Sequence, residues 1–179
     1  MSAKVQYIFA IDPGPEKSAM VLIETETKKV VSCGYDSNSD MLFYLDNAIP
    51  EYGKTGNVAF YIEMVACYGM PVGREVFETC VWIGQFVRCV SRALDRVVWP
   101  GCCVYRREVK LYLCNSMRAK DNNVRKALID CYPKTGKTSK GEPSAIGTQK
   151  HPGPLYGIKG DIWSALAVAV TAAERMEQP

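Results

Sequence analysis

Three acidic residues occupy places where a folded chain puts charge to use. Asp12 closes the apolar run Val5-Gln6-Tyr7-Ile8-Phe9-Ala10-Ile11, Glu63 closes Val58-Ala59-Phe60-Tyr61-Ile62, and Asp161 opens the last apolar, helix-periodic segment. In an α/β fold, strand ends and helix starts converge on the sheet edge where ligands bind. Two carboxylates brought within a few ångströms there repel unless something positive sits between them. Magnesium or manganese suits that position, because hard divalent cations take oxygen ligands and keep places open for water and phosphate. Two such ions about 4 Å apart activate a water and stabilise the leaving oxygen of an in-line phosphodiester displacement, and the chemistry needs no histidine or cysteine. Each residue also has a purely structural reading. Asp12 caps the Pro13-Gly14 turn or binds a ligand, and Asp161 is a helix N-cap or a ligand. Glu63 is harder to explain structurally, since glutamate is a poor strand residue after Phe60-Tyr61-Ile62.

The elements that position these residues follow from the pattern. Val5–Ile11, Ala19–Ile23 and Lys29–Tyr35 read as strands, the last two joined by the polar hairpin link Glu24-Thr25-Glu26-Thr27-Lys28. Ser39-Asp40 caps a helix with Met41, Leu42, Leu45 and Ile49 on one face, stopping before Pro50. A fourth strand over 58–62 ends at Glu63. After Gly73, the spacing of Val76, Cys80, Ile83, Val87, Val90 and Leu94 predicts a long helix, packed on the sheet or forming a dimer seam, with Phe77, Val81 and Trp82 as additional apolar surface. A short strand over 102–105, a short helix over 107–113 and a helix capped by Asn122 and ended by Pro133 come next. Residues 133–159, with five lysines and repeated Gly and Pro breaks, read as a long, mobile, basic loop. In the last helix, Ile162, Ala165, Leu166, Ala169, Val170 and Ala173 make a small-residue face able to lie close against a sheet. The first three strands are too closely linked for parallel crossovers, so the fold class is α/β with a mixed central sheet flanked by helices.

At 179 residues the chain is one domain, 1–179, with 47% hydrophobic and 23% charged residues, a balance that excludes disordered and fibrous classes. No apolar run is long enough for a membrane helix and no signal peptide leads the chain, so no membrane partner and a cytoplasmic location are expected. The eight cysteines form no Cys-x-x-Cys pair, and the single His151 cannot complete the usual zinc sets, so they read as reduced, buried, structural thiols. The net charge of +3 conceals a division. Residues 101–160 hold 12 Lys and Arg against 4 Asp and Glu, and the remainder holds 10 against 15. That pattern suits one surface for a polyanion and a separate place where carboxylates collect, or else a solvated basic loop.

Ile11-Asp12-Pro13-Gly14, Tyr61-Ile62-Glu63 and Gly160-Asp161-Ile162-Trp163-Ser164-Ala165-Leu166-Ala167 together resemble, in order and over nearly the whole chain, the RuvC-like Holliday junction resolvases of the ribonuclease H-like fold. The stretches 76–86 and 145–167 look most like the bacteriophage and prophage branch. The resemblance implies a magnesium- or manganese-dependent endonuclease with one or two ions, acting as a homodimer on branched DNA in a bacterial host cell. It would nick two strands of a four-way junction to leave 5′-phosphate and 3′-hydroxyl ends. The metal ligands carry over onto Asp12, Glu63 and Asp161. Family members usually have a second acid one turn along the last helix; here Ser164 stands there, so a second ion is held more weakly or by another residue.

Val109-Lys110 and Ala119-Lys120-Asp121 resemble the family's positions for lysines near the scissile phosphate, which gives Lys110 and Lys120 catalytic and phosphate-contact roles. Arg118, Arg125 and Lys126 are read as backbone-phosphate contacts, with an ordinary solvated cation as the alternative for the last two. Tyr68 resembles the aromatic that inserts at a junction centre, or is a partly buried loop tyrosine. His151 is an inert loop residue or a base. Three activities remain open: a junction-resolving endonuclease, a broader nuclease of forks and flaps, and a junction-binding protein whose catalytic site has decayed.

Overall fold

The computed structural model describes residues 5–55, 57–67, 69 and 71–177. Five strands form the central sheet in the order β3-β2-β1-β4-β5: β1 Val5–Asp12, β2 Lys17–Glu24, β3 Val30–Ser37, β4 Asn57–Met64 and β5 Cys103–Tyr105. The first three strands are an antiparallel meander, with Asp12 opposite Ala19 and Lys17 opposite Ser37. β4 and β5 then add in parallel to β1, as the long crossovers require. This is the mixed sheet expected from the spacing of the strands.

Alternation along β1 sorts the core into two layers. Ile8 and Ala10 face one side, Phe9 and Ile11 the other. The first side is covered by α5 (Ile162–Glu177), whose Ala165, Leu166, Ala169, Val170 and Ala173 are all fully buried. Alanines at these positions let the helix lie close to the strands without a gap. The second side is covered by α1 (Asn38–Thr55) and α2 (Arg74–Ala93), through Met41, Leu45, Ile49, Ile83, Phe86 and Val90. α3 (Arg106–Cys114) and α4 (Asp121–Cys131) flank the α5 side, and among the described residues no helix is long and apolar enough to cross a membrane.

Several expectations are corrected. α1 does not stop before Pro50; Ile49 is fully buried and Tyr52 packs edge-on against Tyr7, ring centroids 5.2 Å apart, so tertiary contacts carry the helix past the missing N–H. Its start is fixed by Ser37, whose hydroxyl accepts the Asp40 backbone N–H at 3.2 Å and donates to the Asp40 carboxylate at 2.5 Å. α4 is capped at Lys120, whose carbonyl accepts from the Asn123 and Val124 N–H groups, leaving Asn122 inside the first turn. α2 is rotated from the expected stripe: Thr79, Ile83, Phe86 and Val90 are buried, while Cys80 is exposed. All eight cysteines are free thiols, but only Cys102 is buried, and Cys67, Cys80 and Cys131 are exposed.

Residues 133–159 contain regular structure. Two short antiparallel ladders, β6 Gly136–Lys137 with β7 Pro143–Ser144 and β8 Gly147–Thr148 with β9 His151–Pro152, fold the segment back on itself. Ala145, Leu155 and Ile158 anchor it in the α5-side core. To the long basic loop read from the sequence the structure adds these ladders, held by a few apolar residues at the points where the segment touches the core. The lysines obscured that pattern.

Candidate functional site

Asp12 and Glu63 meet because β1 and β4 are parallel neighbours in a register that aligns Ile11 with Ile62, one residue short of each carboxylate. The turn after Asp12 is held rigidly. Ser18 and Asn38, both 1% exposed, bind one another at 2.6 Å; Asn38 Nδ2 donates to the Gly14 carbonyl at 2.9 Å, and the Gly14 N–H donates to Ser18 Oγ at 3.3 Å. Gly14 itself passes so close to β2 that a Cβ there would lie 2.4 Å from the Lys17 carbonyl oxygen. The Asp12-Pro13-Gly14 sequence is therefore part of a locked corner, which gives Asp12 a fixed direction.

Electrostatics mark this corner as unusual. Burial pushes the Asp12 carboxyl up to about 7, with Glu63 and Asp161 adding to the rise, while Arg106 and a hydrogen bond from Ser164 oppose it. Burial likewise raises Glu63, against the pull of Arg106 and Lys110. Glu63 is only 14% exposed, and its ion pair with Arg106 is long, at 3.4 Å. Two partly compensated acids at a strand end are a poor choice for stability alone, and they form an oxygen donor set suited to a hard cation.

Asp161 lies at the rim, exposed, just before α5, where its carbonyl accepts from the Ser164 and Ala165 N–H groups. The preceding Gly160, at φ 51°, makes the left-handed bend that turns the chain into the helix. Asp161 and Asp12 line one cleft of about 940 Å³; Asp12, Glu63 and Arg106 line a second of about 270 Å³. Asp12 is thus the acid common to both. Among the described residues, no three His, Cys, Asp or Glu side chains gather into a set that holds a metal ion. The arrangement is a strand-end pair with a third acid at the rim.

The cations lie to one side. Lys110, Arg106, Arg107 and Met117 line a further cleft of about 530 Å³, and Arg106 is common to this cleft and the acid pair. Lys110 Nζ lies 3.7 Å from Asp121 Oδ1, and Arg106 Nη2 lies 2.8 Å from the same oxygen. Lys120 is exposed at the start of α4, with Arg118 exposed just before it. Lys126 is exposed on α4, and Arg125 stacks its guanidinium over Trp163 at 4.8 Å. Tyr68 lies outside the described residues, and His151 is exposed in β9, remote in sequence from the acid-bearing strands. Ser164 is the surprise among the expected residues: its hydroxyl is directed at Asp12.

Arg106 is the residue of this cleft that sequence reading missed. Its only sequence signal was its position immediately after the strand paired with β4, at the same sheet edge as Glu63.

No family model matches the chain, and no curated protein matches it in sequence. Solved structures do match. Thermus thermophilus RuvC superposes with a TM-score of 0.61 at 15% identity, covering 96% of each chain. T. thermophilus RuvC in complex with Holliday junction substrate gives 0.58 at 16% identity, again over 96% of each. The fold is therefore the ribonuclease H-like α/β fold of RuvC.

Proposed function

We propose that this protein is a metal-dependent endonuclease that resolves four-way DNA junctions, of the phage and prophage type, working as a homodimer in a bacterial host cytoplasm. The observation that carries the reading is the half-buried Asp12–Glu63 pair at the parallel β1–β4 edge, with a cationic cleft directly beside it. The RuvC fold supports it, and so does the junction held by one of the similar structures.

Asp12 and Glu63, with Asp161 from the rim, would hold magnesium or manganese as one or two ions. Bound there, the ion supplies Lewis-acid activation of water and neutralisation of phosphate charge. The chain's own contribution is orientation and charge. The locked corner fixes Asp12, Ser164 donates to it, and the Asp12 carboxyl, raised by burial and by its acidic neighbours, favours a positive occupant. Lys110, Arg107 and Lys120 present ammonium and guanidinium groups on the α3–α4 side, where they would oppose charge developing on phosphate oxygens. Arg118, Lys126 and Arg125 extend the positive surface along the duplex backbone without reading bases. The large cleft on the other side has Asp12, Glu16, Glu75, Glu78 and Asp161 against Lys17 and Arg74, so a polyanion approaches from α3–α4. Tyr68 is assigned by resemblance alone to stacking at the junction centre.

Dimerisation is assigned to α2. Phe77 and Val81 are 63% and 62% exposed and share a face with Gly84, beyond which lies open space. A second copy of the same helix would cover them at close approach.

The test is cleavage of a synthetic four-way junction with magnesium, with EDTA, and with the D12N and E63Q variants. Paired nicks that require magnesium and disappear in both variants establish the reading. Equal cutting of forks or flaps in competition would broaden the substrate. Tight junction binding without any product would leave a binding protein.

A further inference from the structure

Arg106 joins two regions with opposite needs. One nitrogen of its guanidinium pairs with Glu63 at 3.4 Å, and the other pairs with Asp121 at 2.8 Å. Its side chain is 26% exposed, whereas Asp121, in the first turn of α4, is 71% exposed and is also approached by Lys110. The contact with Asp121 is short and the contact with Glu63 is long, so the guanidinium is already anchored on its far side. An arginine fork can keep one partner while giving up the other.

We propose that Arg106 is a positioning residue that acts as an internal counter-ion: it pairs with Glu63 while the acid pair lacks a cation, and withdraws onto Asp121 when a divalent cation takes Glu63. This rests on the metal-dependent reading of the site and concerns how that site is regulated. The physical basis is competition. Arg106 and a divalent cation cannot both lie against one carboxylate without mutual repulsion. Without Arg106, two half-buried carboxylates would face each other uncompensated, which costs more than a shared ion pair. Asp121 makes withdrawal feasible, because the guanidinium moves from one carboxylate to another and is never left unpaired. The outer acid is solvated, so water screens the guanidinium charge there. Arg106 therefore sets the threshold cation concentration at which the acid pair is occupied, and Asp121 lowers that threshold.

Calorimetric titration with manganese alone, without DNA, tests this on the full chain. Wild type should bind manganese and D12N should not. R106Q should bind more tightly, on the order of tenfold, because a unit charge near a divalent ion has been removed. R106K, which keeps the charge but has no fork, should stay within about threefold of wild type. D121N should bind several-fold more weakly, because Arg106 then has only Glu63. A purely structural role for Arg106 predicts the opposite, weaker binding in R106Q together with a lowered melting temperature, and that result overturns the proposal. If R106Q does not fold, D121N decides: unchanged or tighter binding there overturns the proposal. If wild type takes up no manganese, the metal-dependent reading fails and this inference with it. If wild type binds, D12N does not, and R106Q matches wild type, only the role of Arg106 is lost.

Discussion

The end of the β1–β4 pair and the α3–α4 surface next to it face opposite electrostatic problems. At the strand end, Asp12 and Glu63 are half-buried with less positive charge than they need, and both carboxyls are raised above their usual range, chiefly by loss of solvent. On α3–α4, Lys120, Arg118 and Lys126 are exposed, and the exposed acid Asp121 is held below its usual range, chiefly by its hydrogen bond from Arg106. A protein selected only for stability would interleave these charges. Keeping them apart leaves the acids able to accept a cation and the cations able to accept a polyanion, with Arg106 lining both clefts. The separation therefore points to function.

The strongest way to break the comparison is to neutralise the acidic side. D12N and E63Q should each reduce magnesium-dependent junction cleavage about 10³-fold or more, the scale of several kcal/mol of lost transition-state stabilisation. Gel-resolved cleavage under single-turnover conditions measures it, and a loss under tenfold in either variant would remove that residue from the site.

Stability should move the other way. The folded Asp12 carboxyl, at about 7, keeps its proton where the unfolded one, near 3.8, has lost it. This group's contribution is therefore complete below about pH 4 and is lost as pH rises through 7. In metal-free buffer, D12N should be more stable than wild type by ~2–4 kcal/mol at pH 8. The gap should close near pH 4. Denaturant melts at the two pH values test this, and a variant less stable at pH 8 would contradict it. Added magnesium should narrow the gap at pH 8 by stabilising wild type alone.

The cationic side should respond through rate and salt. K110A and K120A should slow cleavage about 10- to 100-fold while leaving manganese uptake intact. Neutralising Arg118 or Lys126 should weaken junction binding and reduce the salt slope by about one unit each, uniformly across sequences. Unaltered slopes would place those residues off the DNA path. Arg125 should show a mixed effect, because its guanidinium also stacks on Trp163. The smallest effect is expected from S164A. Loss of the hydroxyl that favours the charged form of Asp12 should shift the pH–rate profile upward and cost less than tenfold at neutral pH.

Legibility differed by region for physical reasons. Strand patterns with apolar alternation survive in any environment, so β1 to β4 and the mixed sheet were readable, and with them the placement of Asp12 and Glu63 at strand ends. Helix limits were less so. Proline at position 50 argued for a stop that Ile49 and Tyr52 override by packing, and the rotation of α2 depended on which of several apolar residues the sheet selected. The ladders of 133–159 were hidden because two-residue strands have no period, and their anchors Ala145, Leu155 and Ile158 are too widely spaced to form a pattern.

What the sequence determined by itself was the inventory: three acids at element ends, a basic segment beside them, and a strand order that forces a mixed sheet. Residue type and periodicity are local properties, and the chain carries them wherever it folds. Tertiary structure decided the pairing. The β1–β4 register set Asp12 beside Glu63, the crossover into α3 placed Arg106 against Glu63 and Asp121, and the first turn of α5 directed the Ser164 hydroxyl toward Asp12. Those contacts join residues up to 152 positions apart in the chain, from Asp12 to Ser164. Burial and the distance between charges exist only once such residues meet, so the electrostatics that distinguish this site belong to the fold.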